Sequence, residues 1–313
     1  MKRVLLTGST GFIGRHVLEA LGQRSGLDIH TMHRRVPVSV PMGTTAHQGD
    51  VLDREAVTAV LRSVKPDTLL HFAWAVPPPG ERLYERPENQ DWADATVAMV
   101  QSFGEAGGQR VVIAGSCIEY GDLPSPFRES DSAMPTSLYG HEKLRCAQEV
   151  LQVNAALSVA VARIFFLFGP HEERSRLIPT VIANLLVGQP AALSAGTQRR
   201  DFMDVREVAD AAVSIAESDV RGLVNIGSGE AISVADLARA TARLLNGEHL
   251  LRFGEQAAGG DAAADIVAGI DRLRDEVGWR PRRSLDEALT ETIAWWREAL
   301  PSQSTLESTK NHD

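Results

Sequence analysis

The first half of the chain alternates short apolar runs with longer stretches whose apolar positions recur every three to four residues. Residues 4–6, 29–32, 68–72, 111–114 and 159–166 read as the buried strands of a parallel sheet. Between them, residues 13–21, 55–61, 92–103 and 138–153 carry helical spacing. This alternation predicts an α/β fold, a doubly wound parallel sheet of Rossmann type with helices on both faces. Ligands of such a sheet sit outside the carboxyl ends of its strands.

After Gly169-Pro170 the rhythm loosens. Residues 177–186 and 205–216 read as helices, 199–205 as a strand leading into a loop, and 222–227 as a short strand. Residues 234–245 and 285–300 read as further helices. The expected organisation is a dinucleotide-binding domain over 1–169 and a smaller C-terminal α/β substrate lobe over 170–300. Part of 200–227 is expected to return to the large sheet, and 301–313 is polar and expected to be a disordered tail.

Composition narrows the partners. The 313 residues are 43% hydrophobic and 23% charged, with a net charge of -9, which argues against nucleic acid or anionic lipid as a partner. Cys117 and Cys146 are the only cysteines and form no CxxC, so a reducing compartment fits better than a disulfide framework. Lys2-Arg3 precede too short an apolar run for a secretory signal, and no later run is long enough to span a membrane. The expectation is a cytoplasmic protein. The histidines show no metal-ligand spacing, so no metal is expected.

Thr7-Gly-Ser-Thr-Gly11-Phe-Ile-Gly14 follows the first strand and opens the first helix, the context in which a glycine triplet holds a dinucleotide. Gly8 allows the tight turn, Gly11 lets backbone approach the pyrophosphate, and Gly14 packs helix on strand. Thr10, Phe12 and Ile13 lie on the same loop and helix start, where free N–H groups meet phosphate. The second strand ends in His33-Arg34-Arg35 without the acid that holds the ribose of NAD, and Asp28 lies at its other end. Arg34 and Arg35 suit a 2′-phosphate, which predicts NADP(H). Asp50 and Val51 after the third strand, and Phe72 and Ala73 after the fourth, join the expected cofactor contacts.

Tyr139-Gly-His-Glu-Lys143 opens the fourth helix with Tyr and Lys one turn apart on one face. A nearby ammonium favours a phenolate, so Lys143 is expected to lower the pKa of Tyr139.

With these motifs the chain resembles the extended short-chain dehydrogenase/reductases, the NAD-dependent epimerase/dehydratase family, over nearly its whole length. The resemblance rests on residues 7–14, 49–53, 112–121, 139–143, 163–170, 200–202 and 222–229. It implies that Ser116, four residues before Tyr120-Gly121, completes a catalytic set with Tyr139 and Lys143. It also implies a nucleotide-diphosphate sugar as substrate, Arg200 of Arg200-Asp-Phe202 as a diphosphate clamp, and Leu177 near the nucleotide base. A homodimer through the helices at 92–103 and 138–153 follows by the same analogy.

Sugar 4,6-dehydratases of this family place Asp-Glu after the serine or threonine, where this chain has Cys117-Ile118, which disfavours dehydration. Phe166 replaces the asparagine of the commoner Arg-x-x-Asn-x-Tyr-Gly-Pro and is counted among the cofactor contacts. Phe165-Phe166, His71-Phe-Ala-Trp74, Trp92 and Trp295-Trp296 are similar to NDP-deoxysugar 4-ketoreductases of the CDP-paratose and CDP-abequose synthase type. The implied reaction is reduction of an NDP-4-keto-6-deoxyhexose by NADPH. Trp74, His71 and Trp92 are expected to line the sugar pocket, Asn225 to support a loop, and Trp295-Trp296 to be packing. The alternative is an epimerase or epimerase-reductase, in which His171 and Cys117 would serve as a proton pair, as in GDP-fucose synthase. A non-catalytic NADP(H) sensor is disfavoured, because such proteins commonly lose the Tyr or the Lys.

Overall fold

The computed structural model describes residues 1–35, 40–76, 83–256 and 265–300. The expected tail at 301–313 lies outside the described residues. The first half runs β1 (Lys2–Thr7), α1 (Phe12–Gly22), β2 (Leu27–His33), β3 (Thr44–Gln48), α2 (Arg54–Val64), β4 (Thr68–His71) and α3 (Glu88–Glu105). It continues with β5 (Arg110–Ser116), α4 (Leu138–Gln152), β6 (Ser158–Ile164) and β7 (Phe166–Phe168). Beyond these come α5 (Leu177–Leu186), β8 (Ala191–Leu193), β9 (Arg199–Arg200), β10 (Phe202–Asp204), α6 (Val205–Glu217) and β11 (Gly222–Ile226). The chain closes with β12 (Ile232–Ser233), α7 (Val234–Leu244), β13 (Leu251–Phe253), α8 (Asp271–Asp275) and α9 (Leu285–Ala299).

Among the described residues, one parallel sheet has the order β11-β6-β5-β4-β1-β2-β3. The order reverses between β1 and β4, which opens a crevice at the carboxyl ends of those strands. Alternate residues of each apolar run serve opposite faces. Leu6, Leu70, Val112 and Ala162 pack with α1 and α6, while Leu5, Leu69, Val111 and Val161 pack with α2, α3 and α4. A third core gathers α5, α7 and α9 around Ile182, Leu237, Leu289 and Trp296. Among the described residues, no helix is long and apolar enough to cross a membrane.

The doubly wound α/β expectation holds, and β11 pairs with β6 as the returning strand. Two details differ. The run at 159–166 is broken: β6 stops at Ile164, and Phe166 starts β7, which pairs with β10 outside the main sheet. The strand expected over 199–205 is two short strands. The backbone crosses between them at Asp201, whose buried carboxylate accepts from Ser228 N and Oγ, Gly229 N and Ala268 N at 2.6–3.1 Å. The β8–β13 pair and α8 had escaped the sequence reading, because three- to five-residue elements are too short to show a period.

Candidate active site

The loop between β1 and α1 is built to accept a close-lying ligand. A Cβ on Gly8, at φ 79°, would fall 2.5 Å from Ala73 N, and one on Gly14 would fall 2.1 Å from Gly8 O. Phe72 and Ala73 therefore meet the loop backbone to backbone. Helices α2, α4, α6, α7 and α9 are capped by Asp53, Ser137, Asp204, Ser233 and Ser284, whereas α1 at Gly11, like α3, α5 and α8, has no side-chain cap. Ser9 Oγ, in the same turn, is buried without a hydrogen-bond partner. An uncapped positive helix end beside an orphaned hydroxyl and a backbone-lined cradle fits a dinucleotide pyrophosphate. Thr10, Gly11, Phe12 and Ile13 lie at that helix end, with Thr10 and Gly11 exposed and Phe12 and Ile13 half-buried. Arg34 and Arg35 follow β2 and are exposed. Asp50 Oδ1 accepts from Leu52 N at 3.0 Å, and Val51 is buried against α2 and α3.

Ser116 ends β5, and the 3-10 turn Cys117–Tyr120 follows at once. Ser116 Oγ accepts from Ile118 N at 3.3 Å, and Ser116 N donates to Glu119 Oε1 at 2.7 Å. Glu119 Oε2 in turn accepts from Arg163 Nε at 2.7 Å, with both side chains almost wholly buried (0% and 1% exposed). Arg163 lies 4.4 Å from the Tyr120 ring centroid. Tyr120 Oη donates to Asn225 Oδ1, and Asn225 Nδ2 donates to Phe127 O and Gly269 O. The serine thus stands on a buried polar chain tying β5 to β6 and β11. Asn225 supports loops, as expected.

Ser137 caps α4, which brings Tyr139 to hydrogen-bond Ser116. Burial holds the Tyr139 phenol well above the ordinary tyrosine range, with the Ser116 bond opposing and the Glu119 charge adding. The Lys143 ammonium instead donates to Ala114 O at 3.0 Å, over the Trp74 ring and 5.9 Å from the Tyr139 ring centroid. Burial brings Lys143 down to about 8. The expected lowering by Lys143 gives way to a rise: desolvation outweighs the Ser116 hydrogen bond, and Tyr139 is a neutral phenol at neutral pH.

Other candidates separate. Cys117 packs with Tyr120, Phe127 and Phe165, and burial pushes its thiol up to about 12. His171, at φ 67°, faces elsewhere: its Nδ1 meets Arg15 Nη1 at 2.7 Å and its ring lies 4.4 Å from that of Trp295, tilted by 53°. Their contacts do not bring Cys117 and His171 together as a proton pair. His71 does not line a pocket. It is buried between Thr7 Oγ1 (2.6 Å) and Thr96 Oγ1 (3.0 Å), and burial lowers it to about 3. Trp74 and Trp92 lie 6.3 Å apart, and Trp74 meets Tyr139 edge-on at 6.1 Å. Arg200 lies over Phe166 at 5.7 Å, close enough to Cys117 for its charge to favour the thiolate. Leu177 is half-buried at the start of α5, and Trp295 and Trp296 are packed among α5, α7 and α9.

Sequence reading missed Glu119, Arg163 and Asn89. The first carried a signal, since Ser116-Cys-Ile-Glu119 has capping-box spacing. Arg163 and Asn89 meet their partners, Glu119 and the Trp74 indole, only across the fold.

The Rossmann sheet thus carries an anion-ready helix end after β1, and Ser116 at the end of β5 meets Tyr139 of α4. The sequence model of the NAD dependent epimerase/dehydratase family matches residues 4–227, and the chain belongs to that family. It is 28% identical to the UDP-glucose 4-epimerase of Azospirillum brasilense, over 94% of this chain and 92% of that protein. The UDP-N-acetylglucosamine 4-epimerase of Methanobrevibacter ruminantium, solved with UDP-N-acetylmuramic acid, superposes with a TM-score of 0.84 at 25% identity, covering 96% and 99%. MoeE5 in complex with UDP-glucose and NAD gives 0.80 at 30% identity, covering 96% and 100%.

Proposed function

We propose that the protein reduces the 4-keto group of a nucleoside-diphosphate 4-keto-6-deoxyhexose with NADPH. The observation that carries this is the half-buried Tyr139 phenol at the start of α4, hydrogen-bonded to Ser116 at the end of β5 and held neutral by desolvation, a proton donor beside the group that would hold a carbonyl oxygen. When bound, the dinucleotide supplies the hydride for carbon 4. Ser116 orients the carbonyl, Tyr139 passes its proton to the oxygen as negative charge develops, and the Lys143 ammonium offsets the charge left on the phenolate. Water elimination needs a second acid–base pair, and the residues after Ser116 do not offer one. Cys117 is a buried thiol, Ile118 carries no proton, and Glu119 is held by Arg163.

Residues 1–169 hold the cofactor in this reading and 170–300 the sugar nucleotide, with Arg200 at the diphosphate. Arg34 and Arg35 support NADP(H), since the only acid in β2, Asp28, lies at its start beside His30. A cytoplasmic homodimer through the packed helices α3 and α4 belongs to the same reading.

A second reading, NDP-sugar 4-epimerisation, is favoured by the named 4-epimerase relatives, and the same Ser-Tyr-Lys set can work in both directions. Incubation with NADPH and a panel of NDP-4-keto-6-deoxyhexoses, followed by NADPH absorbance and product NMR, separates the two. Stoichiometric NADPH loss with one sugar is expected, whereas conversion without net loss means epimerisation. Tyr139→Phe should reduce turnover by about 10²- to 10⁴-fold and leave NADPH binding intact. An unchanged Tyr139→Phe protein would make the chain a sensor.

A further inference from the structure

Lys143 is a buried cation whose compensation comes from an aromatic face. Its Nζ lies 3.5 Å from the Trp74 ring centroid while donating to Ala114 O. A desolvated ammonium over an indole is held more strongly than an exposed one. The indole is itself fixed, because Trp74 Nε1 donates to Asn89 Oδ1 at 3.0 Å. Asn89 is 2% exposed, and its Nδ2 donates to Leu83 O at 2.8 Å and Arg86 O at 2.9 Å. Two carbonyls need the amide nitrogen on their side, so the oxygen can only face the indole. The 3-10 turn Leu83–Glu85 held by Asn89 also carries Tyr84, whose ring meets Tyr139 at 6.0 Å. Asn89 therefore anchors both Trp74 and Tyr84, the two aromatic neighbours of Tyr139.

We propose that Trp74, locked by Asn89, is a positioning residue that keeps the Lys143 ammonium charged and fixed beside Tyr139. This rests on reading Tyr139 and Lys143 as the proton-handling pair and is independent of the direction of the reaction. The other titratable groups facing Lys143 are Glu119 from the turn after β5, His71 from β4, and Cys146 and Tyr139 from its own helix. Glu119 is engaged by Arg163, and His71 is neutral down to about pH 3. The indole face is thus the support for the ammonium that a single substitution removes cleanly.

The chain has four lysines, Lys2, Lys65, Lys143 and Lys310, so ¹³Cε-lysine NMR resolves Lys143 once Lys143→Arg identifies its signal. In the full-length protein, Trp74→Leu should lower the Lys143 midpoint by about one pH unit. Trp74→Phe should keep at least half of the effect, and Asn89→Leu should fall between them. The alkaline limb of the kcat–pH profile should move down by the same amount, with KM changed by less than about threefold on the scale of a lost contact. A Lys143 titration unmoved in folded Trp74→Leu and Asn89→Leu, or a rise in KM alone, would overturn the proposal and leave Trp74 as a substrate wall. If no sugar nucleotide is turned over but the Lys143 titration shifts, the proposed substrate is wrong and the positioning role stands.

Discussion

Replacing Glu119 tests the buried polar chain beneath Ser116. Glu119→Leu removes the acceptor of Ser116 N and the partner of Arg163 Nε in one step, both bonds being 2.7 Å. Two hydrogen bonds to a charged group are worth about 1.5–3 kcal/mol each, or about 3–6 together. Leaving a buried guanidinium without its counter-charge costs about 3–5 kcal/mol by direct analogy with broken buried ion pairs. Without Glu119, Arg163 keeps an Nη1 that is buried without a partner, the Tyr120 side chain and the more distant Glu129 charge. The two routes agree on a loss of about 3–5 kcal/mol, read by urea unfolding at pH 7. The double variant Glu119→Leu/Arg163→Met should recover at least half of it, since no charge is then left unpaired. A single-variant loss below about 1 kcal/mol, or a double variant no better than the single, would refute the reasoning.

Three further outcomes are expected. Cys117→Ala should keep turnover within about threefold, because a thiol pushed up to about 12 by burial transfers no proton at neutral pH; a hundredfold loss with unchanged melting would give Cys117 a chemical role. Burial raises Glu172 from 4.5 to about 8, so the folded state keeps a proton that the unfolded chain loses in that interval. The stability this contributes is complete below pH 4.5 and lost as pH rises through 8. Glu172→Gln should flatten that decline by about 2–4 kcal/mol in urea titrations at pH 5 and 8.5, allowing for partial exposure, and an unchanged slope would refute it. Replacing Arg34 and Arg35 by serine should raise KM for NADPH by about 10- to 100-fold and leave NADH within threefold; equal effects on both cofactors would remove the 2′-phosphate role.

What the sequence determined alone is what depends on neighbours along the chain. The apolar runs of β1, β4 and β5 could be assigned because each needs only its own residues to show two covered faces. Gly8, Gly11 and Gly14 were legible because the constraint on them is backbone space within one turn, and Tyr139 and Lys143 because one helical turn sets their spacing. Glu119 was missed although its capping-box distance to Ser116 is equally local.

The tertiary structure decided the rest. Arg163 meets Glu119 across 44 positions, and Asn225 meets Tyr120 across 105. Phe166 looked like the end of β6, yet a backbone bond from Phe166 N to Asp201 O carries it into another sheet. His71 carried the chemistry of a site residue until Thr7 and Thr96 were found on its two nitrogens. The contacts of Trp74 to Lys143 and Asn89 likewise appear only in the fold. Local propensity and steric space are properties of short segments, whereas the desolvation that sets the protonation of Tyr139, Lys143 and Cys117 comes from all the chain packed around them.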